Sequence, residues 1–365
     1  MKKHAAAWAK GLLQYGIGFG LLAYILWRYW EPQGSSPGIK GLLNQTPDFL
    51  LFAAVVVCGA SVSFIQFVRW YFLVRALDLP FTIRNAFRLG LVGVFYNAFL
   101  PGSVGGDLLK AYFIAKDSPG RRAAAVATVI ADRLVGLFGL IWFSAVVGGG
   151  FWLAGDERIA TNDYLKGIIR VCAGVVVVTV VVWVVMGFLP QRRADRFARR
   201  LNSIPKLGHT LSEMWFAVWT YRQRPKVIYA LIGLTAVCHI AMVLMLHFAV
   251  RVFSAADPGT IPEHFVIGPI GYIAQAFFPA PGGVGGAEAI FGYLYTLLGR
   301  SESTGVVGRL TMRVFEWGFG FVGYMVYLWM RKELPAVEAA AEEGGLAAEP
   351  ESPAGSNTGT QKTTV

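Results

Sequence analysis

Two arginines stand inside long apolar stretches, Arg133 within 123–148 and Arg313 within 303–330. At the centre of a spanning helix an arginine costs ~2.5–3.5 kcal/mol on the insertion scale, so it must face a counter-charge, a protein interior or a wet cavity. Acids accompany both. Asp107 directly follows Gly105-Gly106, and Glu288 comes two residues after Gly285-Gly286. Asp132 adjoins Arg133 in sequence but points about 100° away on a helix, so it need not be its partner. Glu316 lies three residues after Arg313 and Arg309 four before it, on one helical face. Two chemistries fit this set. One is a structural ion pair, Arg133 with Glu288 or Asp107 with Arg313 across the chain, with the acids complementing helix dipoles. The other is a cationic cavity for a lipid phosphate, in which Asp107 and Glu288 touch a cationic or hydroxyl-bearing headgroup or carry a proton. Ionisable groups at membrane depth default to function, and the second chemistry is the leading expectation.

A shift of 180 residues places Pro101-Gly102-Ser103-Val104-Gly105-Gly106 on Pro281-Gly282-Gly283-Val284-Gly285-Gly286, Arg133 on Arg313 and Cys58 on Cys238. Asn97-Ala98-Phe99-Leu100-Pro101 also resembles Gln275-Ala276-Phe277-Phe278-Pro279, after a two-residue insertion. Each half reads as span, broken hairpin, span, over about 49–148 and 227–330. The Pro/Gly clusters interrupt the apolar regions 86–115 and 265–298, which are expected to enter the membrane and return. Non-helical backbone at that depth survives only inside protein or against a wet cavity. A helix restarting after each Gly-Gly pair would aim free N–H groups and a positive dipole end at bound anions.

The rest of the chain must position these turns. Of 365 residues, 55% are hydrophobic and 15% charged, against roughly 25% charged in ordinary soluble domains. Clear spans are expected at about 11–30, 49–74, 123–148, 168–189, 227–252 and 303–330, each near the ~20 residues that cross ~30 Å of hydrocarbon. The net charge of +11 is explained by basic residues gathered on one side, above all in 190–226, rather than by nucleic acid. The connections 31–48, 149–167 and 253–264 hold only Lys40, Arg158 and Lys166. Both termini are therefore expected on the cytoplasmic side. With 86–115 and 265–298 failing to cross, the halves run in opposite directions, and inverted repeats with interrupted helices point to a transporter-type site near the midplane. The first span reads as a signal anchor rather than a cleaved peptide. Residues 333–365 read as a disordered acidic tail, leaving 1–332 as the membrane domain. The fold class is an all-α polytopic bundle.

Other signals carry less. Cys58, Cys172 and Cys238 form no C-x-x-C, and His239 and His247 share one span without a third ligand, so neither metal nor cofactor is expected. Trp27, Tyr29, Trp30, Trp152, Tyr327 and Trp329 suit the interfaces. Gly16-x-x-x-Gly20 leaves a homo-oligomer open.

Phe95-Tyr96-Asn97-Ala98-Phe99-Leu100-Pro101-Gly102-Ser103-Val104-Gly105-Gly106-Asp107, followed by Ala131-Asp132-Arg133, resembles the first signature of the lysylphosphatidylglycerol synthase transmembrane-region family. Pro281-Gly282-Gly283-Val284-Gly285-Gly286-Ala287-Glu288 resembles its second. The resemblance covers about residues 10–332. It implies a flippase-like membrane domain, as in multiple peptide resistance factors, which flip aminoacylated phosphatidylglycerol, or in stand-alone members tied to hopanoid or polyprenyl lipids. Lysyl transfer is not carried over, because the longest cytoplasmic loop is 190–226 and no span reads as an aminoacyl-tRNA-using domain. The leading expectation is a lipid flippase or lipid-transport protein of a bacterial inner membrane, taking an anionic or zwitterionic headgroup between the two hairpins. Asp107, Arg133, Glu288, Arg313, Glu316, Asp132 and Asn97 are its candidate contacts, and movement is downhill or ion-coupled. The rival is a membrane subunit or anchor of a separately encoded aminoacyl- or glycosyltransferase. No catalytic constellation supports chemistry within the chain itself.

Overall fold

A computed structural model describes residues 2–32, 38–99, 105–188, 190–204, 208–253 and 257–330. The expected disordered tail and the turn residues Pro101 and Gly102 lie outside them. In chain order the helices are α1 (Lys2–Arg28), α2 (Gly38–Leu43), α3 (Phe49–Arg75), α4 (Ile83–Phe99), α5 (Gly105–Lys116), α6 (Arg122–Phe143), α7 (Gly149–Leu153), α8 (Glu157–Ala160), α9 (Asp163–Gly187), α10 (Gln191–Asn202), α11 (Gly208–Arg222), α12 (Pro225–Ala249), α13 (Ile261–Ala276), α14 (Gly286–Leu297) and α15 (Glu302–Met330). There is no strand among the described residues.

Among the described residues, four helices are long and apolar enough to cross a membrane: α3, the continuous run Arg122–Leu153, α9 and α12. A π-helical turn, Ser144–Gly148, joins α6 to α7 within that run. Of the six expected spans, the other two form α1 and α15, with 27 and 29 residues. Both have the length, but their composition is less apolar than that of the four. In α15 the cause is its own charge, since Arg309, Arg313 and Glu316 lie along it.

Local chemistry sets the helix starts. The Asp48 carboxylate accepts from the Leu50 and Leu51 amides at 2.9 and 3.1 Å and opens α3. Asn162 accepts from Leu165 at 3.1 Å and opens α9. Thr260 and Glu263 form a capping box at α13, satisfying amides that a helix end otherwise leaves unpaired.

The interrupted regions form two helical hairpins, α4 against α5 and α13 against α14. At 1.5 Å per residue these helices are roughly 25, 18, 24 and 18 Å long, each shorter than the ~30 Å of hydrocarbon. The order long helix, hairpin, long helix therefore occurs twice, as α3–α6 and α12–α15. The equivalent helices α3 and α12 pack directly on each other, and Cys238 Sγ sits 3.9 Å from the Val62 carbonyl. Each hairpin also crosses to the last helix of the other half. Phe95 of α4 meets Tyr324 of α15 at 5.1 Å between centroids, and Phe265 of α13 stacks on Phe143 of α6 at 5.7 Å. The main core, with Val55, Leu246, Ile267, Phe291, Tyr295 and Met312, gathers around α12, α13 and α14. Lipid offers no hydrophobic force between helices, so such contact rests on close packing; Gly271 of α13, for example, lies against the Phe291 ring.

The basic 190–226 segment forms α10 and α11, packed as a pair. The Phe197 and Trp215 rings meet at 4.7 Å, and Trp215 donates to the Ala194 carbonyl at 3.1 Å. Arg192, Arg193, Arg196, Arg199 and Arg200 remain exposed. Tyr221 of α11 donates to the Leu73 carbonyl at 3.1 Å, tying this pair to α3.

Candidate functional site

The second hairpin turn is built by glycines that alone tolerate its backbone. Gly282, Gly283 and Gly285 have φ of 56°, 68° and 78°, in the left-handed region that side chains other than glycine's disfavour. Pro281–Gly283 forms a short 3-10 turn, and α14 restarts at Gly286 as the spacing requires. In the first half α5 restarts at Gly105. Gly106 lies against the Gly93 carbonyl, where a Cβ would collide, and its amide donates to Asn97 Oδ1 at 3.0 Å. Gln275, the counterpart of Asn97, donates to the Gly282 carbonyl at 3.5 Å. An amide side chain thus pins each hairpin near its turn.

The arginine partners differ from the cross-repeat pairs expected from sequence. Arg133 pairs with Asp107, and Arg313 pairs with Glu288 at 2.5 Å, each within its own half. The reason is topological: α5 packs on α6, which carries its first-turn acid to the arginine of the next helix. Glu288 holds two positions at once, since its other oxygen accepts from the Gly285 amide at 2.7 Å. The dipole-complementing reading and the ion-pair reading are both realised in that one carboxylate. Asp132 turns away from Arg133 and pairs with Arg69 at 2.8 Å. Arg69 also donates to Thr235 at 3.4 Å and to the Asp132 carbonyl at 3.2 Å. Glu316 bridges Arg309 at 2.9 Å and Arg313 at 3.8 Å, as the shared face of α15 implies.

Among the described residues, two cavities with charged walls lie between the halves. One, of about 420 Å³, is walled by Arg69, Asn97, Asp107, Lys110, Asp132 and Arg133 among others. The second, of about 330 Å³, is walled by Asn97, Arg133, Gln275, Gly282, Gly283 and Glu316 among others. Gln66, Asn97, Arg133 and Met242 border both. The larger cavity faces three basic side chains (Arg69, Lys110, Arg133) against two acids (Asp107, Asp132), an excess of one positive charge. The two equivalent arginines are not equivalent in exposure. Arg133 is 51% exposed, whereas Arg313 and Glu288 are 2% and 0% exposed.

Sequence reasoning missed Lys110, Gln66 and the role of Arg69. Lys110 stands 4.0 Å from Asp107 at a spacing of three residues, a neighbour relation that helix geometry provides. Arg69 reads from sequence as a topology signal near a span end; only packing carries it to Asp132. His239 faces the bundle, 3.3 Å from the Gly136 carbonyl. His247 meets His264 at 2.9 Å, a pairing between α12 and α13.

The arrangement can neutralise a single negative charge beside a polar turn, and it is held inside helices that cross a bilayer. That defines a polytopic α-helical membrane protein. The chain belongs to the family described as Lysylphosphatidylglycerol synthase TM region, which matches residues 13–323. Among its relatives, a UPF0104 membrane protein of Methanocaldococcus jannaschii is 30% identical over 122 residues, 33% of this chain and 36% of that protein. Another, of Methanothermobacter thermautotrophicus, is 31% identical over 106 residues, 29% of this chain and 31% of that protein. The matched segment thus spans about a third of each relative's length. No solved structure matches the chain.

Proposed function

We propose that the protein moves or carries a lipid across the membrane, with the phosphate-bearing headgroup, anionic or zwitterionic, held between the two hairpins. The single observation that carries this reading is the larger cavity with its excess positive charge, placed where the interrupted helices of the two halves meet. A spanning protein keeps charged side chains at that depth when they face a wet path or each other, and here they do both. Arg133 is the primary phosphate contact, because it is exposed and borders both cavities. Asp107, Lys110 and Asn97 orient it and select the headgroup. The hairpins are re-entrant, the halves are inverted, and both termini face the cytoplasm of a bacterial inner membrane. The excess of basic residues in 190–226 supports this orientation.

The test is purified protein in liposomes, with translocation of fluorescent lipids of several headgroups. The expected result is headgroup-dependent movement that an Arg133→Ala/Arg313→Ala variant, still monodisperse, loses. Unchanged movement in that variant would end the proposed mechanism. No movement with any lipid would transfer the weight to a membrane subunit of a lipid-modifying transferase.

A further inference from the structure

Arg309 and Arg313 form a second cluster of positive charge that the open cavity does not use. Both side chains are within 2% of full burial. Among the described residues, Arg309 Nε and Nη1 and Arg313 Nη2 have no hydrogen-bond partner. Buried N–H donors on a charged group are costly to leave unmet, so this cluster is built for more acceptors than it holds. Its two acids differ. Glu288 is sealed, with one oxygen on Arg313 and the other on the Gly285 amide. Glu316 is 32% exposed and forms part of the wall of the 330 Å³ cavity, beside Gly282 and Gln275.

We propose that Glu316 is an exchangeable counter-ion guarding a second oxyanion subsite on Arg309 and Arg313. A phosphodiester entering the smaller cavity takes the place of the Glu316 carboxylate on Arg309 Nη2 and beside Arg313 Nη1, in two guanidinium groups that still hold unpaired donors. Glu316 is the only one of the two acids that can leave, because Glu288 is committed at both oxygens. Its departure leaves Arg309 without the acid that neutralises it, so the incoming group must carry negative charge. A neutral lipid cannot make the exchange. The charged and titratable groups facing Glu316 are Arg309 and Arg313 on α15, Arg133 of α6 across the cavity, and Tyr272 of α13 in its wall. The subsite matches, in the second half, the place of the open Arg133 site in the first, and it makes a headgroup pass between two arginine stations. This inference rests on the lipid reading above.

The test is equilibrium binding of a fluorescent phosphatidylglycerol to the full chain in maltoside micelles, with fluorescent diacylglycerol as the neutral control. Glu316→Gln removes the competing carboxylate and is expected to bind phosphatidylglycerol about three- to tenfold tighter, as charge-assisted donors become available. Arg309→Lys, which keeps the charge but loses the fork, is expected to bind it several-fold more weakly. If Glu316→Gln is not monodisperse, Glu316→Asp, too short to bridge both arginines, is expected to shift binding in the same direction. Competition by inorganic phosphate beyond that of chloride at equal ionic strength would assign the subsite to free phosphate. Its absence would assign the subsite to the lipid headgroup. Unchanged or weaker binding in the Glu316 variants, alongside weaker binding in Arg133→Ala, would overturn the second subsite and leave the lipid reading standing. Equal binding of phosphatidylglycerol and diacylglycerol by the unsubstituted protein would overturn both.

Discussion

Arg313 Nε lies 2.5 Å from Glu288 Oε1, and both side chains are almost fully buried, 2% and 0% exposed. In its counterpart in the first half, Asp107 opens onto the larger cavity and Arg133 onto both. One sequence repeat therefore gives matching positions unequal access: at Arg133 an open contact for a ligand, and at Arg313 a buried pair that braces the second hairpin and lies behind Glu316.

The brace is expected to govern stability. Removing one partner of a buried pair typically costs about 3–5 kcal/mol, because the other charge stays buried alone. Glu288→Ala or Arg313→Ala should lower the apparent melting temperature in detergent sharply. Arg133→Ala should lower it by much less, since Arg133 is half-exposed and Lys110 stays 4.0 Å from Asp107, and an ion pair open to solvent is worth roughly 1 kcal/mol or less. Thermal scans at one fixed rate compare the three variants. A larger loss from Arg133→Ala than from Arg313→Ala would contradict the assignment.

The first hairpin depends on the absence of a side chain at Gly106. A Cβ there meets the Gly93 carbonyl, a backbone atom that cannot step aside. Gly106→Val is expected to part α4 from α5 and to break the Asn97 hydrogen bond, with a cost in the range of overpacked cores, about 1–3 kcal/mol or more. Gly149→Ala is the control, because nothing lies within 4 Å of a Cβ at that position. Size-exclusion profiles and melting curves of the two variants should separate clearly.

Gln66 borders both cavities, and the one partner of its side-chain amide among the described residues is Cys238 Sγ, at 3.9 Å. Gln66→Leu keeps its volume and removes its polarity. The expected outcome is a melting temperature close to that of the unsubstituted protein and lipid translocation slowed about tenfold, the loss of roughly one hydrogen bond to a charged headgroup. Translocation at the original rate would remove Gln66 from the path.

At the surface, Asp78 accepts two hydrogen bonds from Arg224, one of 3.1 Å and one of 2.5 Å. That guanidinium holds its carboxyl below the ordinary value of 3.8. A depressed folded-state pKa contributes stability that is present above the unfolded value and is lost as pH falls through the folded one. Asp78→Asn should therefore melt slightly lower near pH 7, and the two proteins should converge as the pH falls below 3.8 through the lowered folded-state value. Asn suits the position, since Asp78 has a φ of 55°, which Asn tolerates better than most residues. A difference that persists unchanged at low pH would assign the effect to something other than the charge.

Much of this architecture was legible in the sequence. Apolar runs of about twenty residues fix the spanning helices because a bilayer leaves the backbone no other partners. The Pro/Gly clusters mark where α4 and α13 must stop, and the repeat of 180 residues identifies Arg133 and Arg313 as equivalents. Glu316 and Arg309 could be placed beside Arg313 because three- and four-residue spacings on one helix are local geometry. The partners of Arg133, Arg313 and Asp132 could not. They depend on which helix packs beside which: α5 on α6 delivers Asp107, and α3 beside α6 brings Arg69 to Asp132. The unequal exposure of two arginines with the same position in the repeat is likewise a property of packing alone. Periodicity and composition act within a segment and are carried by the chain itself, whereas burial and ion pairing are set by surfaces that meet only once the helices assemble.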